Sequence, residues 1–379
     1  MSYDFHKLDE LMSNMPAYGL PATDLAVTYK GETVYRRGVG FSDVEKTKPV
    51  SPDDIYWIFS VSKVTTCIAA NRLVEEGRIG LDDPVSKYLP AFASPMVRQK
   101  DGSLAPAKNV MTIRHLFTMT AGFDYNFNSP AFIALRKENP HFSTIEGVNA
   151  IAKSPLWDEP GTVYRYSLCH DVLAGVVEAV SGERFADYVK RVIFDPLGMK
   201  NTGYHPTEEV MSRMTQMYRY VPGLMLADPI DHTNAYILSD NYDSGGAGLH
   251  STVDDQIALM TTLANGGTTK DGYRLLKPET IAMIGTNQLA DSARITLDTT
   301  RLYGYSWGLC CRTHINRLFS RSPSALGEFG WDGAAAAYAL VDPTNRIAIF
   351  FGTEVLNCNF AYHQLHPLLR DAAYEALGI

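Results

Sequence analysis

Cysteine, positive charge and long apolar runs are all scarce in this 379-residue sequence, and each scarcity removes a class of protein. The five cysteines, Cys67, Cys169, Cys310, Cys311 and Cys358, are odd in number and form no CxxC pair. That excludes a disulfide framework or a zinc ribbon and leaves free, mostly buried thiols of a reducing compartment. None has an activating partner beside it in sequence, so none reads as a nucleophile. Basic residues number 34 against 42 acidic ones, a net charge of −8, with no basic run anywhere. No electrostatic footprint for nucleic acid exists. No stretch reaches the roughly 18 uncharged apolar residues that a membrane helix needs. Residues 1–7 carry no basic segment leading into an apolar one. The expected location is therefore cytoplasmic, with no membrane partner.

Motifs are missing too. There is no G-x-S-x-G, so no nucleophile elbow is expected. Gly245-Gly246-Ala247-Gly248 lacks the Lys-Ser/Thr of a phosphate loop and reads as a flexible turn. His363 and His366 have no third ligand nearby, so no metal and no cofactor is expected. His170 follows Tyr166 by four residues, which does not make it a triad member.

What is present is an ordinary globular composition, 45% hydrophobic and 20% charged, in a chain long enough for two domains. Phe5, Leu8, Leu11, Met12 and Met15 recur at helical spacing. Leu25, Val27 and Tyr29 alternate, residues 30–32 offer a turn, and residues 34–39 read as a returning strand. A helix is predicted over residues 61–76. From about residue 83 to 242 helical patterns dominate, broken by polar loops such as residues 98–109. Leu168, Val172, Leu173, Val176, Val177 and Val180 form one apolar face, with Gly182 as its C-cap. Strand signals return at 305–311, then at 335–341 and 346–351, joined by the turn Asp342-Pro343-Thr344-Asn345. A last helix is predicted over 362–377. Strands at both ends and helices between them predict an α+β fold: an antiparallel sheet flanked by N- and C-terminal helices, plus a mainly helical insertion. The domains expected are 1–82 with 243–379, and 83–242, with an active site in the cleft between them.

The chemistry begins at Ser60-Val61-Ser62-Lys63. If Ser60 opens the helix, Lys63 at i+3 lies on the same face. A serine hydroxyl needs a base beside it, and a buried lysine can be one. The helix N-terminus also aims backbone N–H groups at developing negative charge. Alone, this pattern equally describes a capped helix start with a solvated lysine.

Longer matches change that weight. Residues 58–63 (IFSVSK), 112–122 (TIRHLFTMTAG), 194–199 (FDPLGM) and 248–255 (GLHSTVDD) stand in the order found in the serine β-lactamase and penicillin-binding-protein superfamily. Tyr166-Ser167-Leu168 stands at that superfamily's Tyr-x-Asn, and Trp331-Asp332-Gly333 at its Lys-Thr-Gly. Over nearly its whole length the chain resembles the esterases with a class C β-lactamase fold, the family VIII carboxylesterases. The resemblance implies that Ser60 is acylated and that Lys63 and Tyr166 share the proton traffic, with either one as base. It implies an oxyanion hole made by the backbone N–H of Ser60 and Ala334, with Gly333 allowing close approach of the substrate.

Two departures bear on substrate. Leu168 replaces an asparagine that would meet a substrate amide. Trp331 replaces a lysine that would hold a substrate carboxylate, and Asp332 beside it would repel one. Arg312, Arg317 or Arg321 could fold in to supply that cation. Phe123 and Tyr125, with Leu168, Trp331, Asp332 and Gly333, are the expected substrate contacts, and aromatic loops suit an apolar acyl or alcohol group. The activity implied is a carboxylesterase on small or medium acyl esters, with acyl transfer to an alcohol open to it. The partner is a small-molecule ester or amide. A β-lactamase or D-alanyl-D-alanine carboxypeptidase is the first alternative. A non-catalytic binding or sensor protein on the same fold is the second.

Overall fold

The computed structural model describes residues 3–297 and 302–379. Its main sheet has seven strands: β1 (Ala22–Tyr29), β2 (Glu32–Gly40), β3 (Tyr305–Trp307), β4 (Arg312–His314), β5 (Phe329–Gly330), β6 (Tyr338–Asp342) and β7 (Ile347–Thr353). They lie in the order β2-β1-β7-β6-β5-β4-β3, and every pairing is antiparallel. The two ends of the chain meet at the β1–β7 pairing, from Thr23↔Thr353 to Tyr29↔Ile347. This is the sheet expected from strands at both termini.

Side chains alternate across a strand, so each strand feeds two layers. Leu25 and Val27 of β1, with Ile349 and Phe351 of β7, face helices α1 (His6–Ser13) and α5 (His366–Leu377) through Leu8, Met12, Leu369 and Ala373. Ala26 and Phe350 point the other way, into the core shared with Val253, Ile257 and Met260 of α4 (Val253–Ala264). Both faces are covered, so β7 is buried along its whole length. The β6–β7 turn is held by Asp342, which accepts hydrogen bonds from Asn345 N at 2.9 Å and Asn345 Nδ2 at 2.8 Å. The five cysteines are all buried free thiols.

Helix α2 (Ser62–Glu75) is buried through most of its length. Helix α3 (Cys169–Ser181) packs against it and ends, as expected, on a left-handed Gly182, φ 76°. Around them lie the shorter helices Ile113–Phe117, Pro130–Glu138, Thr144–Ala152 and Phe185–Val189.

Three details differ from the sequence reading. Within the stretch read as a polar loop, Leu104–Pro106 pairs with Met96–Arg98. The stretch at 305–311 is no single strand: β3 ends at Trp307, and the chain turns back at Gly308, whose N–H meets Cys311 O at 2.9 Å. Within the mainly helical region, Met217–Val221 and Leu226–Ile230 form a hairpin that Val355–Leu356 joins in parallel. Tyr218 and Tyr220 thereby pack with the terminal helices. Strands of two to five residues carry too little alternation to stand out. Among the described residues no helix is long and apolar enough to cross a membrane.

Candidate active site

Ser60 sits in a single 3₁₀ turn, Phe59–Val61, that leads into α2. Phe59 immediately before it has φ 42°, a left-handed conformation that a bulky side chain rarely adopts. Burial of the Phe59 ring (3% exposed) holds this strained turn in place. The turn presents Ser60 to a cleft of about 440 Å³ lined by Tyr125, Tyr164, Tyr166, Tyr236 and Trp331, with Asp332, Gly333, Ala334 and Tyr362.

One helical turn on, Lys63 is completely buried. Its Nζ donates to Ser60 Oγ at 3.2 Å, to Tyr125 Oη at 2.9 Å and to Gly246 O at 2.7 Å. It also lies 4.7 Å from the centre of the Tyr166 ring. Tyr125 was expected as a substrate contact. It does line the cleft, but its hydroxyl belongs to the lysine, and its ring stacks on Tyr166 at 5.6 Å.

The glycine run before residue 248 is packed, not a flexible turn. A Cβ on Gly246 would stand 2.5 Å from Asp171 Oδ2 and 3.2 Å from Tyr125 Oη. Only a bare backbone fits there, and its carbonyl reaches Lys63. Behind it Asp171, 1% exposed, accepts from Ser244 Oγ at 2.7 Å and Tyr242 Oη at 3.0 Å. Burial pushes the Asp171 carboxyl up, while nearby Lys63 and these two donors pull it down.

Tyr166 Oη accepts from Trp331 Nε1 at 3.0 Å. Burial pushes the Tyr166 phenol up, outweighing hydrogen bonds with Ser60 and Trp331 that lower it. Burial thus favours the protonated phenol. The indole that replaces the superfamily's lysine holds that phenol.

Residues 331–336 join β5 to β6 and run beside the nucleophile turn. Gly333 was expected to admit the substrate. The space its missing Cβ leaves is taken instead by the protein, because a Cβ there would lie 2.5 Å from Ile58 O. The glycine therefore brings the 331–336 segment against the turn that carries Ser60. Among the described residues, neither Ser60 N nor Ala334 N donates to another backbone group, which leaves both free for an oxyanion.

Two expected contacts do not reach the cleft. Leu168 is 1% exposed and packs in the core at the start of α3. Phe123, 5% exposed, meets the Phe92 ring edge-on at 5.8 Å. Leu168 follows the apolar face of its helix, and Phe123 is held by its ring contact, so packing explains both. Of the arginines considered, Arg312 is buried and bonded to Glu328 Oε1 at 3.0 Å, and Arg317 and Arg321 are exposed and line no part of the cleft. No described residue lining the cleft is cationic. His170 is buried, with its Nε2 3.2 Å from Phe117 O, and burial lowers it to about 3. Among the described residues no group of three or more His, Cys, Asp or Glu side chains could hold a metal ion. Asp171, Tyr164 and Tyr362 were not singled out for the site from sequence. Tyr164 and Asp171 flank the Tyr166 tripeptide without belonging to it, and Tyr362 lies in no motif.

These features have counterparts elsewhere. Esterase EstB of Burkholderia gladioli is 30% identical over 375 residues, 92% of this chain and 89% of EstB. The structure titled EstCE1, a hydrolase with promiscuous acyltransferase activity, superposes with a TM-score of 0.80 at 25% identity, covering 97% of both chains. The unliganded selenomethionyl simvastatin synthase LovD from Aspergillus terreus shares the fold, with a TM-score of 0.81 at 18% identity over 98% of each chain. The beta-lactamase family model matches residues 8–373. With its seven-stranded antiparallel sheet, its Ser-x-x-Lys helix start and a tyrosine facing both, the chain belongs to the beta-lactamase family.

Proposed function

We propose that the protein is a serine carboxylesterase acting through an acyl-enzyme on Ser60, in a cleft between the sheet part (1–82 and 243–379) and the mainly helical part (83–242). The observation that carries this is the 3.2 Å hydrogen bond between Lys63 Nζ and Ser60 Oγ, at the foot of a cleft lined by aromatic rings. With Lys63 as the neutral amine, Ser60 Oγ attacks the ester carbonyl and passes its proton to Lys63 Nζ, which becomes the ammonium. The carbonyl oxygen, now negative, sits between the N–H groups of Ser60 and Ala334. Tyr166, protonated at rest, gives its proton to the departing alkoxide, which is the stronger base. In deacylation a water gives its proton to the Tyr166 phenolate and attacks the acyl carbon. Ser60 leaves and recovers its proton from Lys63. An alcohol in place of that water gives acyl transfer.

The substrate class follows from the walls. Rings of Tyr125, Tyr164, Tyr236 and Trp331 favour an apolar acyl or alcohol group. Trp331 spends its one donor on Tyr166 rather than on a carboxylate, and Asp332 beside it disfavours the anionic β-lactams and D-Ala-terminated peptides. The protein is expected to hydrolyse p-nitrophenyl butyrate much faster than nitrocefin, and a fluorophosphonate is expected to add to wild type but not to Ser60→Ala by intact mass. Faster nitrocefin turnover would replace the esterase reading with a β-lactamase one. Labelling without turnover of any ester would favour a binding protein.

A further inference from the structure

We infer that Tyr362, from the segment leading into the last helix, is a positioning residue that orients and polarises the oxyanion-hole peptide Gly333–Ala334. This inference rests on the reading above that Ala334 N–H holds the oxyanion.

Tyr362 lines the cleft, yet its hydroxyl is turned to the protein backbone. Its Oη lies 2.9 Å from Gly333 O and 2.8 Å from Ala334 O, so one O–H proton is shared between two carbonyls. The first of these belongs to the same peptide unit as Ala334 N–H. An amide whose C=O accepts a hydrogen bond becomes a better donor at its N–H, because the two ends polarise together. Fixing the carbonyl also fixes the plane of the peptide, and with it the direction of the N–H.

The same element holds the segment once more. His366 Nε2 lies 3.0 Å from Ala336 O, a contact that is a hydrogen bond when Nε2 carries the proton. The His366 ring stacks on Tyr338 at 4.6 Å and meets Tyr362 edge-on at 5.6 Å. The braced stretch needs holding: Ala336 has φ 70°, a conformation an alanine adopts only under constraint. Three carbonyls of one tight loop, those of 333, 334 and 336, are thus gripped from a single helical face. The opposite side of the loop rests on the nucleophile turn at Ile58.

The test compares wild type, Tyr362→Phe and a variant with 4-aminophenylalanine in place of Tyr362, which keeps the ring and a weaker donor. Each is measured for kcat and KM on p-nitrophenyl butyrate and for affinity toward butylboronic acid. That boronic acid forms a tetrahedral, negatively charged adduct on a serine and so reports the oxyanion hole in the absence of turnover. Losing a direct donor costs about 10²–10³-fold in kcat, so loosening one through its peptide is expected to cost about 10-fold. In Tyr362→Phe, kcat and boronate affinity are expected to fall together with KM nearly unchanged, and the amino variant is expected to recover about half of the loss on a logarithmic scale. A purely structural role would lower the melting temperature without this paired loss. Unchanged kcat and boronate affinity in Tyr362→Phe would overturn the inference, as would a rise in KM alone. Should Tyr362→Phe fail to fold, the amino variant decides: about threefold paired loss supports the inference and wild-type values overturn it. Wild-type turnover that survives Ser60→Ala would instead overturn the underlying reading, and is seen before any Tyr362 variant is made.

Discussion

At the scale of single residues, Lys63 ties the nucleophile to the two segments behind it. All three of its hydrogen bonds go to groups that have a task of their own: the nucleophile, a phenol and a backbone carbonyl. Lys63→Ala is expected to lower kcat about 10²–10⁴-fold, the usual worth of general-base assistance. Stopped-flow release of p-nitrophenol would place that loss in the acylation step, and near-normal release would remove Lys63 from the mechanism. Ser60 and Lys63 were legible because a helix brings i and i+3 together, and Tyr166 because it stands in a recognisable tripeptide. Asp171 and Tyr362 were not. Asp171 is tied to the site by a contact 73 residues along the chain and Tyr362 by one of 29, and no short linear pattern spans either separation.

Two backbone segments, rather than side chains, define the reacting volume at the scale of elements. The nucleophile turn carries its strain at Phe59 and the 331–336 segment carries its own at Ala336, and the two touch at Gly333 and Ile58. Gly333→Ala would drive a methyl to 2.5 Å from Ile58 O and force the segments apart. We expect kcat on p-nitrophenyl butyrate to fall about 10²-fold, as for an oxyanion donor moved out of place, while the circular dichroism spectrum is kept. A variant of normal rate would mean that the two segments do not set the geometry. The long elements α2, α3 and β7 were visible in the sequence, α3 through its apolar face and β7 through its continuous apolar run. The hairpins at 96–106 and 217–230 were not, because their strands are short and take their shape from what covers them.

At the scale of the whole molecule, burial has moved protons in both directions. It lowers His170 to about 3, while the Asp171 and Glu354 carboxyls are raised, also by burial. The two effects oppose each other in the total pH dependence, so the histidine is best read by difference. Below its ordinary pKa of 6.5 the unfolded chain protonates His170 and the folded one does not. The unfolded state then binds more protons, and stability falls as pH falls, by about 1.4 kcal/mol per unit. The stability advantage of wild type over His170→Gln is therefore expected to shrink by about 2 kcal/mol between pH 7 and pH 5. Urea unfolding of both proteins at pH 7, 6 and 5 measures this, and a constant difference would mean that His170 is not held neutral. The α+β architecture could be read from strand signals at the two ends, because a sheet that buries both faces needs long apolar strands. One hydrophobic core runs through the sheet part and the helical part alike.

The pairing of Thr23 with Thr353 also sets a timetable. A ribosome adding 5–20 residues per second finishes β1 about 15–60 s before it makes the strand that β1 must pair with. Through that interval β1 is paired on one side only, with β2, and its other edge is open to any strand that drifts by. An open edge is a template for wrong pairing, and slow translation of the middle of the chain lengthens the wait.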